Sequence, residues 1–199
     1  MSNLKLLLHT CCATCVSWLA DILSLSYDVD LYYYNPNIHP EKEYQRRLGD
    51  IQKVAEILNL KLIEGEYNSK AWLDHVRGYE KEKEGGTRCP ICFEFRLRET
   101  ARYAKDHGYD AFMTTISMGR NKKAEVITPI GEEIAKEFGL DYESRDFKKG
   151  GGLDESYCRS EEYGVVRQHY CGCPYSLRDA AYTCPKKTFT LESISEDEK

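Results

Sequence analysis

Residues 4–13 read Leu4-Lys5-Leu6-Leu7-Leu8-His9-Thr10-Cys11-Cys12-Ala13, and this stretch decides the fold. Its short apolar run predicts a buried strand, and the helical spacing of apolar residues from Ala13 to Leu25 predicts a helix directly after it. Cys11 and Cys12 occupy the turn between the two elements. Ligands of parallel α/β sheets bind at the carboxyl ends of the strands, where helix starts also favour thiolates. This turn is therefore expected to bind a metal or to carry out redox chemistry.

Strands and helices alternate through the first three quarters of the chain. Further strands are predicted at 29–34, 61–64, 111–115 and 141–144, and helices at 41–59, 69–76, 89–107 and 124–138. This alternation indicates βαβ units, a parallel sheet and a layered, Rossmann-like α/β fold. The alternation stops at Lys148. We therefore predict an α/β core domain with the metal-binding loops at 1–147, a C-terminal cysteine-bearing lid at 148–187, and an acidic, disordered tail at 188–199.

Composition excludes several classes of protein. The 199 residues are 41% hydrophobic and 31% charged, which is ordinary for a globular domain. No apolar run is long enough to span a membrane, and the first residues lack the pattern of a signal peptide, so we expect a cytoplasmic protein without a membrane partner. The net charge of −5 disfavours nonspecific coating of nucleic acid, although residues 145–187 carry eight basic and six acidic side chains and could meet a phosphate backbone.

Six of the nine cysteines form three close groups, Cys11-Cys12, Cys89-Pro90-Ile91-Cys92 and Cys171-Gly172-Cys173. In a reducing compartment, clustered thiols are more often metal ligands or catalytic groups than disulfides. The first two groups lie at predicted helix starts and can converge as four thiolates, which suits a [4Fe–4S] cluster or a structural zinc ion. Buried inert cysteines are a third reading. The adjacent pair favours iron–sulfur chemistry, because zinc sites normally space their ligands by two or more residues.

The remaining cysteines divide into candidates and packing residues. A disulfide between Cys171 and Cys173 would close a small strained ring that is easily reduced, so this pair suits a catalytic dithiol or, alternatively, a second metal. Cys15 lies one helical turn from the adjacent pair and is a candidate to join its site. Cys158 and Cys184 lie outside the groups and are expected to be packing residues.

Five side chains near predicted strand or helix ends are candidates for substrate binding: Asn35, Asn37, Arg88, Lys148 and Lys149. The two asparagines belong to the loop at 34–40, a shaped polar segment that a plain turn would explain equally well. The three basic residues could contact phosphate through their side chains or through neighbouring backbone N–H groups. A solvated flexible loop is the alternative for the two lysines.

Five ordered motifs together resemble the QueH family of epoxyqueuosine reductases, over about residues 4–179. They are His9-Thr10-Cys11-Cys12-Ala13, Tyr34-Asn35-Pro36-Asn37-Ile38-His39-Pro40, Arg88-Cys89-Pro90-Ile91-Cys92-Phe93, Lys149-Gly150-Gly151 and Gln168-His169-Tyr170-Cys171-Gly172-Cys173-Pro174-Tyr175-Ser176. One departure is Thr14, where many members of the family have proline, and it removes no cysteine.

The resemblance implies reduction of epoxyqueuosine to queuosine at the wobble position of tRNA, the last step of queuosine biosynthesis, with a [4Fe–4S] cluster and an unidentified electron donor. Carried over motif by motif, the cluster ligands would be Cys11, Cys12, Cys89 and Cys92, and the redox-active pair would be Cys171 and Cys173. Some members hold a further iron beside the cluster, and Cys15 would then be one of its ligands.

Conversion of an epoxide to an alkene and water consumes two electrons and two protons. His9, His39 and His169 are candidates to supply the protons near neutral pH, although a structural role would explain each one alone. A zinc-stabilised nucleic-acid-binding module without redox activity is the rival hypothesis. A third is an ATP-dependent tRNA sulfur-transfer enzyme, because the predicted sheet resembles the adenine nucleotide α-hydrolase-like fold, but no Ser-Gly-Gly-x-Asp-Ser loop follows the first strand.

Overall fold

A computed structural model describes residues 3–119, 122–165 and 167–177. Strands and α-helices alternate along them in the order β1 (Leu4–His9), α1 (Ala13–Ser24), β2 (Tyr27–Tyr33), α2 (Glu41–Leu58), β3 (Leu62–Glu64), α3 (Ser69–His75), α4 (Arg88–Asp106), β4 (Ala111–Thr114), α5 (Ala124–Phe138), β5 (Asp141–Tyr142) and α6 (Gly152–Glu162). Short 3₁₀ helices at Thr115–Met118 and Lys149–Gly151 follow β4 and precede α6.

The five strands form one parallel sheet in the order β3-β2-β1-β4-β5. β1 lies at the centre, where Leu6 is opposite Val29 of β2 and Ala111 of β4. The chain adds β2 and β3 on one side of β1 and then crosses back to add β4 and β5 on the other side. The carboxyl ends of β1 and β4 therefore flank the point at which the strand order reverses, and open α/β sheets bind their ligands at that point.

Alternate side chains of β1 enter two different cores. Leu6 and Leu8 are buried on the face that α1 and α2 cover, and Leu7 is buried on the opposite face with α4 and α5. Parallel sheets are normally covered on both faces, which explains why β1 is a nearly continuous apolar run. The central strand is thus anchored on both sides, and it fixes the position of the turn that follows it.

The segment after β5 packs back onto the first helix. Ser17 of α1 donates a hydrogen bond to the carbonyl of Ser156 in α6 at 3.1 Å, and Arg159 of α6 pairs with Asp21 at 2.8 Å. α6 therefore lies against α1, which starts at the cysteine turn. The division into a core domain, a lid and a tail remains a prediction, and residues 178–199, including Cys184, lie outside the described part of the chain.

The layered α/β fold with a parallel sheet, predicted from the sequence, is confirmed. α5 occupies the predicted residues 124–138, and the other elements differ from their predicted bounds by at most two residues at an end. β2 begins at Tyr27 instead of Val29 because it pairs with β1 from Leu4 onward. Among the described residues, no helix combines the length and the apolar character needed to cross a membrane.

Candidate functional site

The turn after β1 brings three cysteines together at the strand-order reversal. The backbone N–H of Cys11 donates to the Thr115 hydroxyl at 3.2 Å, just beyond the end of β4. The Cys12 and Cys15 sulfurs are 3.0 Å apart, since they lie one turn apart at the start of α1. Cys11 and Cys12 are adjacent in the sequence, and Cys15 follows Cys12 by one helical turn. All three thiols therefore lie at the same edge of the sheet.

The start of α4 contributes the second group of thiols. Cys89 and Cys92 are both buried, and their sulfurs accept hydrogen bonds from the Gly85 N–H at 3.2 Å and from the Trp72 indole N–H at 3.3 Å. Trp72 of α3 has no solvent exposure and shares a small apolar cluster with Cys92 and Cys173. Cys92 of the second group and Cys173 of the third therefore pack in one cluster with this tryptophan.

The turn at 170–173 is tied to α2 and to the loop at 34–40. Arg47 of α2 donates to the carbonyls of Cys171 and Tyr170, each at 3.1 Å, and the His39 N–H donates to the Gly172 carbonyl at 2.9 Å. Gly172 has a φ of +112°, in the left-handed region, and a Cβ there would lie 2.9 Å from Ile38. Only glycine fits this turn, which holds two thiols against the strand ends.

Arg96 of α4 is a buried cation that interacts electrostatically with all three cysteine groups. It is only 2% exposed, and although burial lowers its pKa, the neighbouring sulfur groups raise it overall. The contributing sulfurs belong to all three groups: Cys92, Cys11, Cys171 and Cys89. The charge of one buried guanidinium therefore acts on cysteines from three separate segments of the chain.

Burial and crowding hold the thiols in their protonated form. The hydrogen bond with Cys12, followed by burial, raises the pKa of Cys11 well above its ordinary value. The bond from Cys11 lowers the pKa of Cys12, but the bond to Cys15 and burial outweigh it and raise that pKa to about 12. Burial likewise raises the pKa of Cys89, and it raises that of Cys173 to about 11. Such thiols lose their protons to a positively charged centre more readily than to water.

Lys122 is a further buried cation, and nothing in the sequence around it indicates that it belongs to the site. Its ammonium group is 2.9 Å from the Glu84 carboxylate. Although burial lowers its pKa, electrostatic interactions with Cys171, Glu84 and Cys89 raise it overall. Lys122 therefore places a positive charge between the second and third cysteine groups.

His9 belongs to a hydrogen-bonded group at the strand ends that we call the strand-end network: His9, Asn35, Arg96 and Thr114. The ring of His9 is fully buried, and its Nε2 donates to the Tyr34 carbonyl at 3.0 Å. Nδ1 must then accept from the Thr114 hydroxyl at 2.8 Å. Burial, together with the charge of Arg96, lowers the pKa of His9 to about 3. His9 is thus neutral with both nitrogens occupied, which disfavours the role of proton donor predicted for it.

The other two histidines differ from His9. His39 is partly buried, burial lowers its pKa, and its Nε2 has no hydrogen-bond partner among the described residues. Its ring lies 6.1 Å from that of Trp72, centroid to centroid, and therefore near Cys92. His169 is exposed, two residues before Cys171. His39 is the candidate proton donor that the geometry favours.

The two asparagines of the loop have different surroundings, although the sequence treats them alike. Asn35 donates to the Thr10 carbonyl at 2.7 Å and accepts from Arg96 at 3.2 Å, so both of its amide atoms are occupied. Asn37 is 1% exposed, and neither its nitrogen nor its oxygen has a partner in the described part of the chain. Asn35 therefore connects β1 to α4, whereas Asn37 is available to a ligand.

The three basic candidates also have separate surroundings. Arg88 is buried, and its Nη1 donates to the carbonyls of Tyr79, Glu80 and Glu82, while its Nη2 has no partner among the residues described. Lys148 donates to the Lys122 carbonyl at 2.6 Å and so holds the chain before α5. Lys149 is exposed. Of these side chains, Lys149 is the most accessible to an external phosphate, and substrate binding by all three stays a prediction.

The sulfur groups do not converge on a single point. Within residues 3–119, 122–165 and 167–177, no group of three or more His, Cys, Asp or Glu side chains could hold one metal ion. The possible metal ligands are nonetheless mostly thiols, and two buried cations, Arg96 and Lys122, would compensate the negative charge of thiolates bound to metal. A centre with several metal atoms fits such a spread, since each of its ligands binds a different atom. Cys158 is exposed on α6, away from these groups in the sequence.

Comparison with known proteins identifies relatives over most of the chain. The sequence pattern of the family described as "Epoxyqueuosine reductase QueH" matches residues 6–179. A protein of that name from Streptococcus pyogenes is 36% identical over 180 residues, covering 87% of this chain and 71% of the relative. Another from Thermotoga maritima is 36% identical over 177 residues, covering 86% and 89%. The matched span includes every cysteine of the three groups.

A solved structure supports the fold alone. A protein from Methanocaldococcus jannaschii, described as a predicted subunit of tRNA methyltransferase, superposes with a TM-score of 0.52 at 15% identity. The match covers 78% of this chain and 76% of that one. The layered parallel-sheet architecture is therefore shared with a protein of distant sequence.

Proposed function

The chain belongs to the QueH family of epoxyqueuosine reductases, and we propose that it reduces epoxyqueuosine to queuosine at the wobble position of tRNA. This reaction is the last step of queuosine biosynthesis. One observation carries the proposal: at the sheet edge where α/β proteins bind ligands, Cys11 packs against the apolar cluster that contains Cys89, and Cys92 shares a cluster with Cys173. Such a concentration of sulfur suits a reduction.

Cys171 and Cys173 are the proposed electron store. As a dithiol, the pair gives up two electrons and two protons and becomes a disulfide. The epoxide takes up the two electrons and the two protons, one of the protons by way of His39, so its oxygen leaves as water and a carbon–carbon double bond forms. Both thiols are free in the structure, and the left-handed Gly172 allows the tight turn that their pairing needs. An external electron donor then returns the disulfide to the dithiol.

Cys11, Cys12, Cys89 and Cys92 are the proposed ligands of a [4Fe–4S] cluster, which would supply electrons one at a time when bound. The pKa values of Cys11, Cys12 and Cys89 are raised and Cys92 is buried, so these thiols are expected to keep their protons until a positively charged centre displaces them. A donor set that includes the adjacent pair Cys11-Cys12 favours a cluster over zinc, because zinc sites normally space their ligands by two or more residues. We further propose that Cys15, whose sulfur lies 3.0 Å from that of Cys12, ligates an additional iron.

His39 is the proposed proton donor. Its Nε2 is buried and without a partner among the described residues, whereas both nitrogens of His9 are occupied and His169 is exposed. A general acid must reach the substrate with a free nitrogen, and His39 meets this requirement from the loop that bonds to Gly172. The exposed Lys149 and the locally basic segment at 145–187 are proposed to meet the tRNA backbone.

Nucleoside analysis tests the proposal. Protein purified without oxygen is incubated with a reductant and with tRNA that contains epoxyqueuosine, and the digested nucleosides are measured by mass spectrometry. We expect conversion to queuosine by the loss of one oxygen atom, with about four irons and four sulfides per chain. Unchanged nucleoside with a fully loaded cluster contradicts the reaction. A colourless protein with one zinc would instead support the rival nucleic-acid-binding module.

A further inference from the structure

The loop at 34–40 holds two polar side chains without partners while its backbone is firmly fixed. Tyr67 donates to the Ile38 carbonyl at 2.8 Å, and Tyr170 donates to the His39 carbonyl at 2.8 Å. The His39 N–H is bonded to Gly172, and Asn35 is bonded to Thr10 and Arg96. The loop is therefore rigid, and the freedom of its two side chains does not come from a mobile backbone.

The amide of Asn37 is the most informative of these groups. Both of its polar atoms are shielded from solvent and have no partner among the described residues. Buried polar groups in folded proteins are nearly always hydrogen-bonded, so an exception at a ligand-binding edge indicates a ligand. The rigid loop holds this amide in place before any ligand arrives, as a preorganised site requires.

The chemistry of the amide restricts the ligand. Nδ2 of Asn37 needs an acceptor and Oδ1 needs a donor, and a hydroxyl group can satisfy either. A phosphate at neutral pH offers mainly acceptors, so it would leave Oδ1 of Asn37 without a donor. The substrate of the proposed reaction is an epoxide on a ring that carries hydroxyl groups. Its ring, and not its phosphate backbone, matches the unpartnered amide.

We propose that Asn37, with His39 two residues further on, forms a polar subsite that binds the hydroxyl-bearing epoxide ring. This inference rests on the proposed function. Because Asn37 is covered, entry of the ring requires a covering segment to move. The turn at 170–173 hydrogen-bonds to this loop through Gly172 and Tyr170, and its movement would leave the bonds of the loop to Tyr67, Thr10 and Arg96 in place. Entry of the ring by this route would also move the dithiol.

Substitution of Asn37 by leucine tests the subsite with two readouts. Leucine has the same branched shape and no polar atoms, so Asn37→Leu should raise the melting temperature of the ligand-free protein, because an unsatisfied amide is removed. The matched variant Asn35→Leu should lower it, because both amide atoms of Asn35 are hydrogen-bonded. A melting temperature that falls equally in both variants would mean that Asn37 is already satisfied, and it would overturn the inference.

The second readout is binding by the cluster-loaded protein. The probes are an anticodon stem-loop RNA with epoxyqueuosine and the same RNA with unmodified guanosine. Wild type should bind the modified RNA more tightly than the unmodified RNA. In Asn37→Leu the ratio of the two affinities should be about tenfold smaller, with an unchanged iron content and visible spectrum. Preference retained by Asn37→Leu, or a changed spectrum, overturns the subsite alone. Equal binding of both RNAs by wild type would overturn the proposed substrate, and the subsite with it.

Discussion

The strand-end network and the loop segment Asn37–His39 lie side by side, yet they differ in one respect. Each polar side chain of the network has hydrogen-bond partners within the protein, as His9 shows with both ring nitrogens bonded. The loop segment leaves the amide of Asn37 and Nε2 of His39 without partners among the described residues. The difference separates the residues that fix the geometry of the site from those that can face a substrate.

The largest expected effect concerns the dithiol on the substrate side. Cys171→Ser should abolish queuosine formation, because a serine cannot form the disulfide that stores the two electrons. Its carbonyl would still accept from Arg47, so the turn and most of the cluster should persist. The matched change Cys158→Ser, at an exposed position on α6, should leave turnover unchanged. Loss of the whole cluster in Cys171→Ser would make Cys171 a ligand and would contradict this division of roles.

Arg96→Met tests the strand-end network by removing its cation. The change leaves the buried oxygen of Asn35 without its donor and the thiols without a compensating charge, so the free energy of unfolding should fall by about 3 kcal/mol. Iron content should fall as well. On the same helix, Arg98→Met removes only exposed ion pairs to Glu94 and Glu137 and should cost under about 1 kcal/mol. Urea titration of both variants measures the difference, and equal losses would contradict a structural role for Arg96.

Lys122→Met removes the buried ammonium group that interacts with the sulfur groups. Glu84 loses its ion pair with Lys122 at 2.9 Å, and because both side chains retain some exposure we expect a loss of about 2 kcal/mol. Lys122→Arg, which keeps the charge, should recover part of that stability. Lys123→Met is the control, since its side chain is exposed and lies 3.6 Å from Glu125. Thermal unfolding and iron content would show whether the effect belongs to position 122.

The smallest effect concerns pH. Although burial raises the pKa of Glu43, its hydrogen bonds and charge interactions with Arg46 and Arg47 lower it overall. The pKa of the folded state is then below that of the unfolded chain, so the stabilisation is present above about pH 4.5 and disappears as the pH falls through the lower, folded value. Glu43→Gln should cost about 1 kcal/mol at neutral pH and progressively less in acid.

The exposed residue Glu41, in the same helical turn, provides the control for this titration. Glu41→Gln should leave the acid limb of the stability curve unchanged. Glu43 bonds to Arg47, which holds the turn at 170–173, so Glu43→Gln should also loosen that turn. A pH-independent difference between wild type and Glu43→Gln would show that this carboxylate does not titrate with folding.

The sequence was sufficient for the fold because the information is local. Apolar runs and helical spacing define each element, and the order of strands and helices then implies a parallel sheet. The ends of β2 and β5 were less accurate, because pairing with neighbouring strands determines where they begin and end. The cysteine groups were visible as close spacings, and the fold brings them to one edge.

The surroundings of the other site residues depend on contacts between distant parts of the chain, which no local sequence pattern predicts. Arg96 and Lys122 resemble ordinary surface cations in the sequence, but the fold buries both beside the sulfur groups. Asn35 and Asn37 are equivalent in a polar loop until α4 supplies a partner to only one of them. The signal that could have identified Arg96 is its position on the apolar face of α4, one turn after Cys92.

The turnover of two histidine variants tests directly whether the substrate faces the loop segment Asn37–His39 or the strand-end network. His9→Gln and His39→Gln are loaded to the same iron content, and the rate of queuosine formation per cluster is measured by mass spectrometry of tRNA nucleosides. We expect the rate of queuosine formation to fall about 100-fold or more in His39→Gln. In His9→Gln it should fall less than about tenfold, because the glutamine amide can keep both hydrogen bonds. A large loss in His9→Gln with normal turnover in His39→Gln would contradict this expectation.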